Sequence, residues 1–503
     1  MLKTSDTHPL RIDAFPLWSA EVGLTICPGK YQLDSHAGPW DRSLGEDVSA
    51  LARWKAFAVV TLMEDHELDY LRVRDLPEAM ADHFPIWLQL PITDRRAPDP
   101  EFLRRWRYLR LVFAHLLMTE ANVVLHCMGG LGRSGTVAAM LCMDAGMSAH
   151  DAIRLVRQTR RGAIETIEQE RFIENYRPDF VLTPESVRGA LAIWSGAAGD
   201  ALGYAVEFDH LDEIEARFGR KGIHPDRLPG TVLISDDTQM TLWAMAALAD
   251  AGSADLRALR RGWLHWYEGQ SGLPTTTVTS SLRRLASDTG FNARRAPGNT
   301  CLAALGNGAR GTLLDPVNDS KGCGTVMRTA PIALIPDFSL EDRLTLAQQA
   351  AALTHGHPIA SRAAAFLTGI LHIQVAHHPS IDMAAMSLMR EWPGLLRGYD
   401  SLISKALAHE DLRPDPSDYG AGWVAEEALA IGLAVARGDP LAPMSFVAAT
   451  AANHDGDSDS TASIACQLAG SYRIPDPDFI DLVCRLDAFD AVADTLTAFY
   501  RVF

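Results

Sequence analysis

The chain has 503 residues, 47% hydrophobic and 22% charged; these globular values exclude wholesale disorder and a fibrous repeat, and at roughly 100 to 200 residues per domain the length asks for more than one core. Its formal charge of −17 is divided unevenly, about −4 over residues 1–180 and −13 over 181–503, so the acidic second half repels a polyanion and duplex nucleic acid is not a default partner, whereas a small anionic ligand remains compatible. Seven cysteines without CxxC spacing argue against a disulfide framework or zinc cluster and suit a reducing cytoplasm; with no signal-type N-terminus and no uncharged apolar run near the roughly 18 residues of a bilayer span, a soluble protein without a membrane partner is expected.

In chain order, the runs at 57–63 (FAVVTLM) and 122–126 (NVVLH) are short, apolar and β-branched, the pattern of buried parallel strands. Between them Asp99-Pro100-Glu101 combines a cap, a proline at the first helical position and an early acid, predicting a helix whose apolar face carries Phe102, Trp106, Leu109, Phe113, Leu116 and Leu117. Ser148 predicts the start of a helix to about Gln158, and Ile164 to Tyr176 another. Residues 1–180 therefore read as an α/β domain with a central, mostly parallel sheet. From Thr183-Pro184-Glu185 onward strand signals fade. Ala-Leu-Met periodic segments at 186–203, 237–251, 341–354, 359–377 and 460–470 predict an all-α second domain, 184–503, behind a short linker.

The chemistry of the first domain centres on His126-Cys127-Met128-Gly129-Gly130-Leu131-Gly132-Arg133-Ser134. A strand, Cys-x5-Arg and then a helix ring a hollow with backbone NH groups and aim a helix N-terminus into it, forming an anion cradle. The same field favours the Cys127 thiolate, Arg133 can grip two phosphate oxygens, and Ser134 can donate to the sulfur when it leaves. Asp94, in Leu90-Pro91-Ile92-Thr93-Asp94, is the candidate acid for the leaving oxygen; the alternatives are a solvated turn acid for Asp94 and a buried structural thiol for Cys127.

With Gly23-Leu24-Thr25-Ile26-Cys27-Pro28-Gly29-Lys30, Arg161-Gly162-Ala163-Ile164-Glu165-Thr166 and Gln169, residues 10–178 resemble the dual-specificity branch of the protein tyrosine phosphatases, especially kinase-associated phosphatases. The resemblance implies Cys127 as nucleophile, Arg133 as phosphate clamp, Asp94 as general acid, His126 as a neighbour tuning the loop and Gln169 as a group orienting water. It implies no cofactor in this domain and a phosphorylated substrate.

The second domain carries a split oxygen set, Ser235-Asp236-Asp237 and Asp457-Ser458-Asp459-Ser460, about 220 residues apart and each at the start of an expected helix. Hard divalent cations favour such donors, and two neighbouring ions need shared carboxylates; the bland alternative is a pair of helix caps. Gly196-Ala197-Ala198-Gly199-Asp200-Ala201-Leu202-Gly203, Glu207, Gly322-Cys323-Gly324-Thr325-Val326-Met327-Arg328-Thr329-Ala330-Pro331 and Thr354-His355-Gly356-His357-Pro358 complete an ordered series. Residues 186–475 thereby resemble the ADP-ribosylglycohydrolase family, similar to dinitrogenase reductase-activating enzymes. The resemblance implies two Mg2+ or Mn2+ ions, one on Ser235, Asp236, Asp237 and Asp459, the second on Asp457, Asp459 and Ser460, placing water against a glycosidic bond. It puts Glu207, Gly322, Gly324 and Met327 on the substrate side and an ADP-ribosylated protein or small molecule as partner; His355, the candidate substrate contact, and His357 read equally as packed histidines. Three departures stand out: serines at 235 and 460 where threonine is usual, Asp455 for a glycine, and Cys323 where asparagine is frequent.

The expectation is a bifunctional, cytoplasmic enzyme: a thiolate phosphatase followed by a binuclear-metal hydrolase of ADP-ribosyl bonds. Its alternative is a glycohydrolase whose phosphatase-like domain only recruits phosphorylated partners.

Overall fold

Apolar β-branched runs place the first core. In a computed structural model that describes residues 2–35, 38–273, 280–288, 290, 293–408 and 413–503, β1 (Asp13–Leu17), β2 (Ala20–Ile26), β5 (Ala56–Thr61), β6 (Ile86–Gln89) and β7 (Asn122–Cys127) form one sheet in the order β1-β2-β7-β5-β6; β3 (Tyr31–Gln32) and β4 (Trp40–Asp41) pair separately. The β2–β7, β7–β5 and β5–β6 pairs are parallel and β1–β2 is antiparallel. Val59, Val60, Val123, Val124 and Leu125 are wholly buried at its centre, as helix-covered parallel strands require.

The β1–β2 hairpin and β6 are weaker in sequence: β1 holds Pro16, tolerated because β1 is an edge strand. The helix Pro100–Met118 begins where expected, with the Asp99 side chain accepting from the Phe102 amide at 2.8 Å. Ser148 likewise caps Ala149–Thr159. One boundary moves: the expected start at Ile164 becomes Ile167, because Ile164 sits at φ +57 and the Thr166–Gln169 capping box sets the first turn.

The chain divides into two compact units, Met1–Val187 and Arg188–Phe503. Among the described residues, regular structure in the second is helical, with Asp236–Ala251, Leu340–Ala352, Pro358–His377 and Ser458–Gly470 on the expected segments. Pro358–His377 is long and apolar enough to cross a membrane by composition, yet 72% of that stretch is buried inside the protein, which is how a core helix of a globular unit behaves.

The glycines of residues 196–203 explain how this core brings distant segments together. A side chain at Gly199 would meet the Ala462 carbonyl oxygen at 2.3 Å, and one at Gly203 the Ser458 oxygen at 2.2 Å. The helix Pro184–Tyr204 therefore lies backbone to backbone on the first turns of Ser458–Gly470. Asp200, between the two glycines, consequently reaches the start of Asp236–Ala251, accepting from the Ser235 amide at 3.0 Å and the Thr238 amide at 3.1 Å. Replacing Gly203 with alanine is expected to force these helices apart, lower stability by about 1–3 kcal/mol and weaken divalent-cation binding, as read by thermal unfolding and calorimetric titration.

Candidate active sites

In the first unit, β7 ends on Cys127 and the helix Gly132–Asp144 starts five residues later. Gly130 makes the turn: its φ is +66, and a Cβ there would strike the Thr25 carbonyl oxygen at 2.2 Å, so only glycine fits. The Cys127 sulfur lies 3.6 Å from Ser134 Oγ, the contact needed for a hydroxyl that serves the thiolate. Lys30 Nζ holds the loop through the Met128 carbonyl at 3.2 Å; burial lowers its pKa, opposed by Cys27 and Cys127.

Arg133 is buried and gripped bidentately by Glu67, Nη1 to Oε2 at 2.6 Å and Nη2 to Oε1 at 2.7 Å, with Nη1 also donating to the Leu62 and Ile92 carbonyls. Burial opposes its charge, but the Glu67 hydrogen bonds and the facing Cys127 and Asp94 hold the guanidinium above its ordinary pKa. Asp94 Oδ1 sits 3.0 Å from Arg133 Nη2, with the side chain half exposed, so Cys127, Arg133, Ser134 and Asp94 occupy one site. His126 Nε2 meets Thr61 Oγ1 at 2.7 Å, and that oxygen accepts from Trp87 Nε1 at 3.0 Å. Burial, then Arg133, pushes the imidazole down to about 3. Gln169, expected near water, has both amide ends engaged: Oε1 accepts from the Glu165 and Thr166 amides and Nε2 donates to the Arg96 carbonyl.

In the second unit the separated acids converge. Oxygens of Asp236, Asp237 and Asp459 lie within 4.8 Å of one another, and so do those of Glu207, Asp457 and Asp459. Asp459 belongs to both triplets, the geometry of a carboxylate between two cations. They line a cavity of about 610 Å3 with Ser460, Gly322, Gly324, Met327 and His355. Ser235 is buried, its Oγ accepting from the Asp237 amide at 3.2 Å as a helix cap, which leaves a second oxygen lone pair. For Asp457 the cap reading does not hold: this residue precedes Ser458–Gly470 without a capping side-chain bond. Glu207, assigned from resemblance to the substrate side, joins the cation-competent acids.

The chemistry of this donor set suits hard divalent ions. Asp237 Oδ2 and Glu207 Oε2 are buried without a hydrogen-bond partner among the described residues. Burial, then repulsion from Asp459, pushes Asp236, Asp237 and Asp457 well above the carboxylate range, Asp200 to about 7 and Glu207 to about 10. Cationic charge among them relieves both penalties.

The loop at 322–327 is pinned by a Gly322–Val424 bridge and by the Cys323 amide donating to the Trp423 carbonyl at 3.2 Å. His355 abuts Gly322 and Gly324 and is held through Nδ1 by Thr354 Oγ1 at 2.8 Å; burial, then Arg328, lowers its pKa to about 3. His357 instead caps the helix Pro358–His377 through the Ile359 amide. Asp455, the residue standing for a glycine, is exposed and accepts from the Leu211 amide at 2.6 Å.

A family model described as ADP-ribosylglycohydrolase matches residues 183–500. The chain belongs to the ADP-ribosylglycohydrolase family. A second model, described as a Swiss Army Knife protein DSP-PTPase phosphatase domain, matches residues 41–173. The chain is 37% identical over 141 residues to mouse protein tyrosine phosphatase type IVA 2, covering 27% of this chain and 77% of the mouse protein. Human type IVA 3 is 37% identical over 89 residues, 18% of this chain, which spans about half (50%) of that relative's length.

Similar solved structures include an ADP-ribosylglycohydrolase-related protein complex, at 26% identity, 64% of this chain, 99% of that chain and TM-score 0.43. Another is a kinase-associated phosphatase with its catalytic-site cysteine replaced by serine, at 26% identity, 34% of this chain, 94% of that chain and TM-score 0.31. This ADP-ribosylglycohydrolase family member thus carries two hydrolase domains, both from enzyme families.

Two residues that position these sites escaped the sequence reading. Glu67 had one local signal, the Glu64–Glu67 capping box, and Asp200 stood unassigned inside a quoted motif. Truncating Glu67 to alanine leaves Arg133 buried without its carboxylate; the expected result is p-nitrophenyl phosphate turnover lower by about 100-fold with stability down by about 3–5 kcal/mol, and E67Q falling between.

A pH effect also follows from His126. Its folded pKa of about 3 lies below the ordinary 6.5, so the unfolded chain takes up the proton first and stability declines as pH falls from 6.5 towards 3, by about 2 kcal/mol at pH 5. Calorimetry of the phosphatase unit's transition against pH should record this slope, flattened in H126N.

Proposed function

We propose that the chain is a bifunctional hydrolase, combining thiolate-dependent cleavage of a phosphate monoester with binuclear Mg2+- or Mn2+-dependent release of ADP-ribose from a modified protein or small molecule. The observation that carries the second activity is the meeting of two carboxylate triplets on Asp459, from segments about 220 residues apart in sequence, on the wall of one cavity. For the first it is Cys127, Ser134, Arg133 and Asp94 within one loop cluster.

In the phosphatase site, Cys127 sulfur attacks phosphorus, and the ester oxygen leaves with the proton of Asp94. Arg133, kept planar and fixed by Glu67, binds the equatorial oxygens through the transfer. Water then attacks the phosphocysteine, giving its proton to Asp94, while Ser134 Oγ donates to the departing sulfur. Asp94 pairs with Arg133, so substrate phosphate competes for the same guanidinium and frees Asp94 for the leaving group.

In the glycohydrolase site, Asp236, Asp237 and Asp459 would hold one ion and Asp457, Asp459 and Ser460 the other, with Glu207 available to the second and Ser235 fixing the Asp237 amide. Bound divalent ions supply Lewis-acid activation of water and a template for ribose hydroxyls. Gly322, Gly324 and Met327 give the diphosphate a close backbone approach, and His355 stays neutral behind them. A reducing compartment such as the cytoplasm suits seven free cysteines, and neither reaction calls on nucleic acid or membrane.

The test pairs two variants on the full chain. C127S is expected to lower p-nitrophenyl phosphate turnover by at least about 1000-fold, and D459A, like chelation, to abolish ADP-ribose release from a panel of ADP-ribosylated arginine, serine and nucleotide acceptors, followed by mass spectrometry. No phosphatase turnover in the wild type would favour recruitment of phosphorylated partners; release insensitive to chelator and to D459A would overturn the metal reading.

A further inference from the structure

Arginines and aromatic rings meet in a cavity of the first unit that neither reaction uses. The helix Pro100–Met118 presents Leu103, Trp106, Arg107 and Arg110 at the i, i+3, i+4 and i+7 spacing of one face. Arg171 and Phe172 come from the helix Ile167–Asn175, and Tyr176, Arg177 and Asp179 from the segment after it. Together they line a cavity of about 590 Å3 whose walls lie wholly within the first unit and include no residue of the cysteine loop. That size suits a small molecule.

Buried bonds fix the floor of this cavity. Asp144, the last residue of the helix Gly132–Asp144, accepts from Arg110 Nη1, Trp106 Nε1 and Tyr176 Oη, each at 3.1 Å. Arg110 also donates to the Phe180 carbonyl at 3.1 Å and lies over the Phe180 ring, 4.4 Å from its centroid, while Arg107 pairs with Asp179 at 3.0 Å. These contacts set ring and guanidinium planes in advance, so a ligand meets them with little reorganisation.

The exposed edge is built differently. Arg171 forms no ion pair among the described residues, and Arg177 donates to the Glu174 and Tyr176 carbonyl oxygens without a carboxylate partner among them. Four guanidiniums thus line the cavity against one carboxylate, Asp179. Phe172 and Tyr176, with ring centroids 6.0 Å apart, are each half-buried. Guanidinium forks match phosphate oxygens in pairs, and partly open aromatic faces accept a planar base. Two uncompensated arginines beside two anchored ones suit two linked phosphates better than one.

We propose that this cavity is a second ligand site of the first unit and binds a nucleoside diphosphate, its base against Phe172 and Tyr176 and its phosphates on Arg171 and Arg177. Two sources carry that chemistry: a free nucleotide such as ADP, and the ADP-ribose that the second unit is proposed to release. Only the second source rests on the reading given above; the site itself does not depend on turnover at Cys127 or at the acidic cluster.

The test photolabels the full-length chain with azido-ADP, maps the labelled peptides by mass spectrometry, and uses ADP, ADP-ribose, adenosine and inorganic pyrophosphate as competitors. Label is expected on peptides from Pro100–Met118 or Ile167–Asn175, protected by ADP or ADP-ribose, with the competitor effective at lower concentration assigning the source. Combining R171E with R177E is expected to weaken this labelling by about 100-fold, at roughly tenfold per charged contact, and F172A to weaken it by about tenfold, with thermal unfolding unchanged. Label confined to the cysteine loop or to the cavity of the second unit would overturn the site, and so would label on these helices that survives R171E with R177E. Pyrophosphate protecting as well as ADP would overturn the nucleoside assignment, because the rings would then contribute nothing. None of these outcomes bears on either proposed reaction, so the two readings fail separately.

Discussion

Like charge held at close range inside a protein is the constraint on which the second unit depends. Asp200, Glu207, Asp236, Asp237, Asp457 and Asp459 are all buried, and burying one unpaired carboxylate is already expensive. Two local features offset part of the cost. Asp236 and Asp459 begin helices, where backbone NH groups and the axial dipole favour negative charge, and Asp200 is bound by the Ser235 and Thr238 amides. Protonation, which the raised carboxyl pKa values favour, or bound cations would supply the remaining compensation.

The first unit solves the opposite problem. There a guanidinium is buried beside a nucleophilic sulfur, and Glu67 neutralises and orients it before any substrate arrives. The helix Gly132–Asp144 presents its N-terminus to the same hollow, so an incoming phosphate meets preset donors with little reorganisation. Both sites thus use helix N-termini, one facing the cysteine loop and the other stabilising buried anionic side chains that could hold cations.

Close packing is what gives these charges their coordinates. Gly199 and Gly203 let the backbone of Pro184–Tyr204 touch that of Ser458–Gly470, while Asp200, between them, binds the first turn of Asp236–Ala251. Similarly, Gly130 clears the Thr25 carbonyl so that the cysteine loop closes. The reactive residues hold their places because non-reactive ones permit the approach.

Much of this was legible from residue order. The strands around 57–63 and 122–126, the caps at Asp99 and Ser148, the helical second half, and the candidate groups Cys127, Arg133 and Asp94 follow from local periodicity, capping chemistry and spacing, all properties of short segments; Asp236, Asp237, Asp457 and Asp459 were singled out by family resemblance, because their spacing alone reads equally as helix caps. The β1–β2 hairpin, with a proline in its edge strand, and the true start at Ile167 were less visible, since pairing and a left-handed Ile164 depend on neighbours distant in sequence. Glu67 on Arg133, Glu207 among the acids, Asp455 turned to the Leu211 amide and Cys323 on Asp457 were decided only by tertiary structure. A side chain's partner is set by which backbones can approach it, and that is a property of the packed chain as a whole.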